Sequence, residues 1–586
     1  MSMQTYRYRV AIRLRAPVLS QASGALGFGV DSAMLRDPDG RPALPGTLVK
    51  GNLRQSWETL SAVPGGPTKQ LIDDWLGEPS DNDGDNLPHR AALTFFPWWS
   101  DETWKPGQEG RRYRIQIDEA TGAVADGMLQ VIESPYPVGQ SVTFTGTVLA
   151  RIPAQQRDAL RDWLQRGLAL VPAFGGLKGN GFGRLEGVDV QCETVKPRPV
   201  TIPAEVQDSH RVGLRVHPQT PFCFARPAAG RRNVLVSEDF IPGGALIAAI
   251  AQRLEEDSSR WTKLRSNLDH LHLTHARPVV QGAKGRPIQA PLGIAKIGKG
   301  FIDLGGATDL TPLKGEAPEF AIDWKWPDHE ALAKALAGQA YPGGLRRRLR
   351  LRNEIDPDSG TAKDGVLFSQ DMVLPDACDW LANLDLSATD DLAACLADLA
   401  DLLCEPLTHL GKTKAVATLD IEAALAPTVP VRRREAGRVV LVLQSPARLL
   451  PADLQIPSTN GSDALGRAYT AAWHEFSQGA LALNHWFAAQ HLRGGGYWWH
   501  RFRLPEKAPD YRPQVFTDAG SVFVLDILDA DTAEPLLRDW AARGLPQLAG
   551  APGGEDWRYN PWIAANGYGE ILLDPDLEAC LKGVTP

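Results

Sequence analysis

The sequence predicts an α+β chain made of repeated modules, and three observations carry that prediction. A helical phrase, a glycine-rich loop and an apolar strand are written twice. Leu160-Arg161-Asp162-Trp163 and Arg166-Gly167-Leu168 precede Gly175–Arg184, GGLKGNGFGR; Leu537-Arg538-Asp539-Trp540 and Arg543-Gly544-Leu545 precede Asn566-Gly567-Tyr568-Gly569. A second phrase, Ile117-Asp118, Gly122, Asp126-Gly127 and Leu129, recurs at a constant offset of 238 as Ile355-Asp356, Gly360, Asp364-Gly365 and Leu367. A third, Pro45-Gly46, returns as Pro242-Gly243, each time opening a helical stretch. Repeats of this kind decide the architecture before any single motif does. Two strands around a glycine turn form a hairpin, so the sheets are expected to be antiparallel.

The first module begins with Tyr6–Leu14, YRYRVAIRL, whose alternation predicts a strand. Arg7 and Arg9 inside that strand argue against a signal peptide. Ser23–Asp31, SGALGFGVD, is a small-residue loop ending in a carboxylate, and Asp37–Gly40 is a turn. Thr47 is the expected N-cap of a helix running to about Ser61. Lys50 and Arg54 stand at i and i+4 and share a face of that helix. Beside a helix N-terminus and a glycine loop they are candidates for phosphate contact, against the plain alternative of a solvated basic face. Residues 77–110 read as a long loop, and the Ile-Asp phrase beyond them as a hairpin. Residues 158–170 read as an amphipathic helix and Arg184–Val190 as a strand, with the glycine loop between. A dinucleotide fingerprint needs the reverse order, strand before glycines and helix after, so that reading fails.

Lys196–Pro203, KPRPVTIP, marks the first domain boundary. In the second module Lys50 and Arg54 are replaced by Ile247 and Ala251, and no carboxylate stands where Asp31 does, near Ala228. THLGKTKAV occupies the place of the glycine loop. Gly411-Lys412-Thr413 imitates the end of a P-loop, but Pro406 stands where its first glycine belongs. Residues 276–350 read as irregular, ending in Arg346-Arg347-Arg348, a basic run that reads as solvated surface. A third module opens at Arg438–Leu443, continues through GGGYWWHRFR (494–503) and Ala519–Leu525, and closes on the second glycine loop. Trp498, Trp499, His500 and Arg501 mix aromatics with charge, which suits base stacking or an aromatic core strand. The expected domains are 1–200, 201–430 and 431–586.

Composition narrows the function. With 586 residues, 43% hydrophobic and 23% charged, the chain is an ordinary globular one of several domains. A formal charge of −8 excludes a wholly basic nucleic-acid coat and leaves room for local basic clusters. Six cysteines without a CxxC pair argue against zinc and against a disulfide framework, and fit a reducing cytoplasm. No stretch approaches a membrane span, so no membrane partner is expected.

Taken together, GVDSAMLRDPDGRPALPGTLVKGNLR, the Ile-Asp hairpin and GNGFGR resemble the repeating backbone subunit of type III CRISPR complexes, a member of the RAMP (repeat-associated mysterious protein) superfamily. IPGGALIAAI, EIDPDSGTAKDGVLFS, AGSVFVL and NGYGE resemble the double-RAMP subunit of the D subtype, so the chain is similar to a fusion of the two. The resemblance implies tandem ferredoxin-like (RRM-like) modules holding a CRISPR RNA, together with other effector subunits and a complementary target RNA. It implies guide contacts from Thr47, Lys50, Arg54, Lys178, Asn180, Gly181, Phe182, Gly183 and Arg184, and a thumb at about 112–135. It implies target-RNA cleavage by Asp31, whose carboxylate can hold a divalent ion, with Mg2+ the expected one, or orient the 2′-hydroxyl; His89 and Glu119 are candidate helpers. The second and third modules are expected to serve structure or the 5′ handle of the guide. A purely structural guide-binding subunit, and a nucleotide-dependent enzyme using the glycine loops, are the rival expectations.

Overall fold

In the first strand, β1 (Met3–Arg15), the even positions from Tyr6 onward are buried and the odd ones from Arg7 onward face outward, so Tyr6, Tyr8, Val10, Ile12 and Leu14 form a core stripe while Arg7, Arg9 and Arg15 lie on the open face. The computed structural model describes residues 3–22, 29–78, 90–107, 110–207, 209–227, 233–307, 317–353, 367–434, 437–451, 454, 461–494, 513–549, 554, 556–558 and 560–584. They fall into two compact units. One comprises Met1–Pro197 with Leu349–Leu367, the other Arg198–Arg348 with Phe368–Pro586.

In the first unit β1 is followed by β2 (Ala43–Pro45), α1 (Gly46–Ser61), α2 (Lys69–Leu76), β3 (Leu93–Phe95) and β4 (Trp98–Ser100). A hairpin of β5 (Gly110–Ile117) and β6 (Val124–Ser134) comes next, then β7 (Ser141–Pro153), α3 (Arg157–Ala169) and β8 (Arg184–Thr194). The antiparallel sheet runs β2-β4-β7-β1-β8, with β3 also on β7. The 77–110 stretch therefore holds two strands where a loop was expected. Leu93, Phe95 and Trp99 supply the apolar side chains that pack them on the core. The helices cover the buried face. Trp57 of α1 is fully buried, donates its indole N–H to the Trp163 carbonyl (2.9 Å), and lies 5.5 Å from the Trp75 ring of α2. Truncating it to Ala would cost about 3–5 kcal/mol.

The second unit repeats this order twice. In its first half β9 (Arg211–Pro218) lies between Cys378–Asp385 and Ala415–Ala423, and the strands at 272–280 lie beyond Cys378–Asp385. In its second half Arg438–Leu443 lies between Val522–Ile527 and Ile571–Leu573, with Leu481–Phe487 outermost. In all three sheets the opening strand lies between two antiparallel neighbours: β1 between β7 and β8, β9 between Cys378–Asp385 and Ala415–Ala423, and Arg438–Leu443 between Val522–Ile527 and Ile571–Leu573. The stretch at 276–350, expected to be irregular, contains strands at 277–280, 294–297 and 300–303 and a helix, Trp326–Ala337. Leu407–Leu410 forms a hairpin with Ala415–Ala423, which replaces the glycine loop of the first module.

The helix α4 (Gly243–Glu256) opens the second module after Pro242, as α1 opens the first after Pro45. Ile247 and Ala251, which replace Lys50 and Arg54, are buried in the core. The N-terminus of α4 is closed from within the unit. The Gly243 amide donates to His275 Nδ1 (3.2 Å), and the Asn566 side chain lies against Gly244. His275 stacks on Phe240 (4.5 Å) and meets Tyr568 edge-on (4.9 Å). Beside them a buried Arg286 forks onto Glu570. The second glycine loop is thus a plug on α4. The hairpin repeat at 354–366 and the aromatic run 495–503 lie outside the described residues. All six cysteines are free, and among the described residues no helix is long and apolar enough to cross a membrane.

Candidate nucleic-acid interface

The glycine loop between α3 and β8 lies on the segment that follows β1. The Gly183 amide donates to the Pro17 carbonyl and the Gly176 amide to the Leu19 carbonyl, both at 2.7 Å. Two glycines allow this approach. Gly175 has φ +99° and Gly183 φ +66°, and a Cβ on either would overlap a backbone oxygen, of Leu19 and Phe174 respectively. Between them a short 3₁₀ turn, Lys178–Asn180, carries the loop outward. Lys178, Asn180, Gly181 and Arg184 are exposed. Lys178 Nζ donates to Asn52 Oδ1 of α1 (2.9 Å), and desolvation lowers its ammonium pKa.

Phe182 was expected at the RNA surface. The structure buries its ring, 5% exposed, with Leu19, Leu177 and Ile132 of β6. The Arg112 guanidinium of β5 lies 5.8 Å over the ring. Phe182 therefore docks the loop on the base of the hairpin, and stacking a base on it would require opening that cluster. Gly183 is buried as well.

Asp31 reaches the same base from the other side. Its amide donates to the Val131 carbonyl (2.9 Å), and the Val131 amide donates to Asp31 Oδ2 (2.6 Å). Ser32 continues the pairing, its carbonyl accepting from the Glu133 amide (2.9 Å). Glu133 is itself committed, accepting from the Met34 amide (2.7 Å) and pairing with Arg36. Asp31 is exposed, and its Oδ1 has no protein partner among the described residues.

The hairpin itself stands out from the sheet. Tyr113, Ile115, Ile117 and Leu129 are each at least half exposed. Tyr113 faces Val131 and Ile115 faces Leu129, so these side chains share one face of the ribbon, while Arg112 and Arg114 take the other. Asp118 ties the tip by accepting from Thr121 N (2.8 Å), Thr121 Oγ1 (3.0 Å) and Ala120 N (3.0 Å), which lowers its carboxyl pKa. Glu119, the expected helper, belongs to this tip turn, roughly 20 Å along the ribbon from Val131. His89, the other, lies outside the described residues.

The expected N-cap of α1 is corrected, and Arg54 has protein partners. Thr47 is not the N-cap, which is Pro45 with no side-chain cap, because the extended Pro45 lets the helix begin at Gly46. Thr47 lies exposed in the first turn and accepts a hydrogen bond from Arg350 (2.7 Å). Arg54 does not stand free beside Lys50. It pairs with Asp73 of α2 (3.2 Å) and Glu58 (3.5 Å) and also donates to the Gly77 carbonyl, bracing α1 on α2. Sequence reading missed the partners Val131, Ile132, Asn52 and Arg350.

Among the described residues no group of three or more His, Cys, Asp or Glu side chains could hold a metal ion. Asp31 is a lone carboxylate, and the nearby Glu133 is taken by Arg36. These residues do not build a resident Mg2+ centre.

Residues 21–186 match the sequence model of the RAMP superfamily. No curated protein matches the chain. A solved chain of the type III-B Cmr-beta complex bound to cognate target RNA and AMPPnP is 13% identical, with a TM-score of 0.29 over 53% of this chain and 86% of that one. A chain of the same complex bound to cognate target RNA is 15% identical, with a TM-score of 0.23 over 32% of this chain and 60% of that one. At those scores the likeness carries no structural argument. The matched segment contains Asp31, α1, the hairpin and most of the glycine loop, and over residues 21–186, less than a third of its length, the chain is similar to the RAMP superfamily.

Proposed function

We propose that this chain is a guide-binding subunit of a type III CRISPR effector complex, and that its first unit cleaves RNA paired with the guide. One observation carries the reading: Asp31, the hairpin and the glycine loop converge on Val131, Ile132 and Arg112. Lys178, Asn180 and Arg184 form an exposed polar rim suited to a phosphate backbone. The exposed Tyr113-Ile115-Leu129 face suits contact with unpaired bases, which would interrupt guide–target pairing beside Asp31. The recurrent strand order supports three ferredoxin-like modules.

The chemistry needs one carboxylate. The Val131 amide holds Oδ2, and Oδ1 is left to take the proton of a ribose 2′-hydroxyl. The 2′-oxygen then bonds to the adjacent phosphorus and the bond to the 5′-oxygen breaks; the departing 5′-oxygen takes a proton from solvent water, Asp31 returns its own proton to water, and a cyclic phosphate and a 5′-hydroxyl are left. DNA, without a 2′-hydroxyl, is not cut. A divalent ion would have to arrive with the RNA phosphates, and no step is assigned to it.

The test is target-RNA cleavage by the assembled complex carrying Asp31→Ala. Loss of the cut at one spaced position supports the reading; unchanged cutting overturns the catalytic half. A non-catalytic, guide-holding subunit is the second reading, favoured by the structural bond from Asp31 to Val131. Sequencing of co-purified RNA tests both. A discrete CRISPR RNA is expected, and RNA-free protein purified at low salt with its partners removes both.

A further inference from the structure

The basic run before the second hairpin continues into a strand that does not behave as solvated surface. In Arg347–Arg352 the even positions share one face. The first unit includes residues 349–353, and there Arg350 donates to Thr47 Oγ1 (2.7 Å). Among the described residues no carboxylate pairs with Arg350 or Arg352, and Arg352 Nε is buried without a hydrogen-bond partner. Burial and repulsion from Arg352 push the Arg350 guanidinium down to about 9, and burial lowers that of Arg352. Both remain charged at neutral pH. The third positive element is the N-terminus of α1, which has no side-chain cap and no acidic residue in its first turn. Three positive elements thus meet with no anion among them. Arg215 and Arg286, by contrast, have carboxylate partners, Asp379 and Glu422 for the one and Glu570 for the other.

We infer that Arg350, Arg352 and Thr47, at the first turn of α1, form a binding site for a phosphodiester of a bound RNA strand. This rests on the guide-binding reading and adds to it a contact from a distant part of the sequence. A guanidinium fork matches two phosphate oxygens, and the Thr47 hydroxyl can turn to donate once an anion displaces it as acceptor. The contact reads no base, so it takes any sequence.

The experiment measures binding of a fluorescein-labelled single-stranded RNA of mixed sequence to the full chain across a salt series, with melting of the RNA-free protein alongside. For Arg350→Gln/Arg352→Gln the expected results are affinity lower by roughly tenfold at low salt and a log–log salt slope shallower by about 0.7 for each phosphate that is no longer neutralised. The RNA-free melting temperature should stay or rise, because two uncompensated charges are gone. Arg350→Lys/Arg352→Lys, which keeps charge and loses the fork, should fall between and covers the case in which the Gln variant does not fold. Unchanged affinity and slope would overturn the inference, as would a melting loss with RNA binding intact. If sodium phosphate alone stabilises the wild type and not the variant while RNA binding is unaffected, the site takes a free anion and the inference fails. Wild type that binds no RNA sinks the guide-binding reading itself.

Discussion

Asp31 and Val131 hold each other twice: the Asp31 amide donates to the Val131 carbonyl at 2.9 Å, and the Val131 amide donates to an Asp31 carboxylate oxygen at 2.6 Å. The loop that carries the carboxylate and the strand that carries the hairpin are therefore one rigid corner. The side chain is aimed by backbone, which positions a reacting group better than a free loop does.

Asp31→Asn separates aiming from chemistry. The amide oxygen still accepts from Val131, so stability should change by less than about 0.5 kcal/mol. Target cleavage should fall by about 10²–10⁴-fold, because the amide cannot take a proton. Asp31→Ala should lose the same activity and also about 1 kcal/mol of stability. Cleavage assays and melting curves on both variants check the pair, and wild-type cleavage by the Asn variant leaves only the structural reading.

Two glycines of the same loop should respond oppositely. Gly183→Ala meets the Phe174 carbonyl at a positive φ and should cost about 1–3 kcal/mol and loosen the loop. Gly179 has open space around its Cα, so Gly179→Ala should stay within about 0.5 kcal/mol. Chemical denaturation of the two variants measures the contrast.

Arg54 should behave as a brace. Arg54→Gln leaves the largely buried Asp73 without its cation and should cost about 1–2 kcal/mol. The salt slope of RNA binding should not change. A slope shallower by about 0.7 would instead restore Arg54 as a phosphate contact.

Acid should weaken the second unit through His275. Complete burial lowers its imidazole pKa to about 3, against an ordinary value of 6.5, so the unfolded chain binds a proton that the folded one refuses. Stability is full above pH 6.5 and falls with pH by about 1.4 kcal/mol per unit down to about pH 3. Glu570, whose pKa burial would raise but the neighbouring Arg286 lowers, adds a loss in the same direction below 4.5. Melting from pH 7 to 5 should show the slope in wild type and a flatter profile in His275→Asn, which retains an acceptor for Gly243. Equal slopes would mean that another group is responsible.

Much of the fold was legible because its signals are local. The alternation of Tyr6–Leu14, the period of residues 158–170 and the Gly-containing Ile-Asp turn each produce their element from neighbours in sequence. The two short strands at 93–100 were not, since three-residue strands hold by pairing with distant β7 and β2. Within the site, residue types were readable and partners were not. Nothing near Arg54 announces Asp73, nothing near Phe182 announces Ile132, and Arg350 meets Thr47 across 303 positions.

The plug on α4 bears on how such chains can be recombined. Asn566 fits Gly244, and Tyr568 meets the ring of His275, so the middle and last thirds are cut to one another like a key and its lock. Exchanging either third between relatives would leave a notch without its tooth. Shuffling should succeed only when both travel together, which makes this half of the chain a single heritable block although it contains two copies of the repeat.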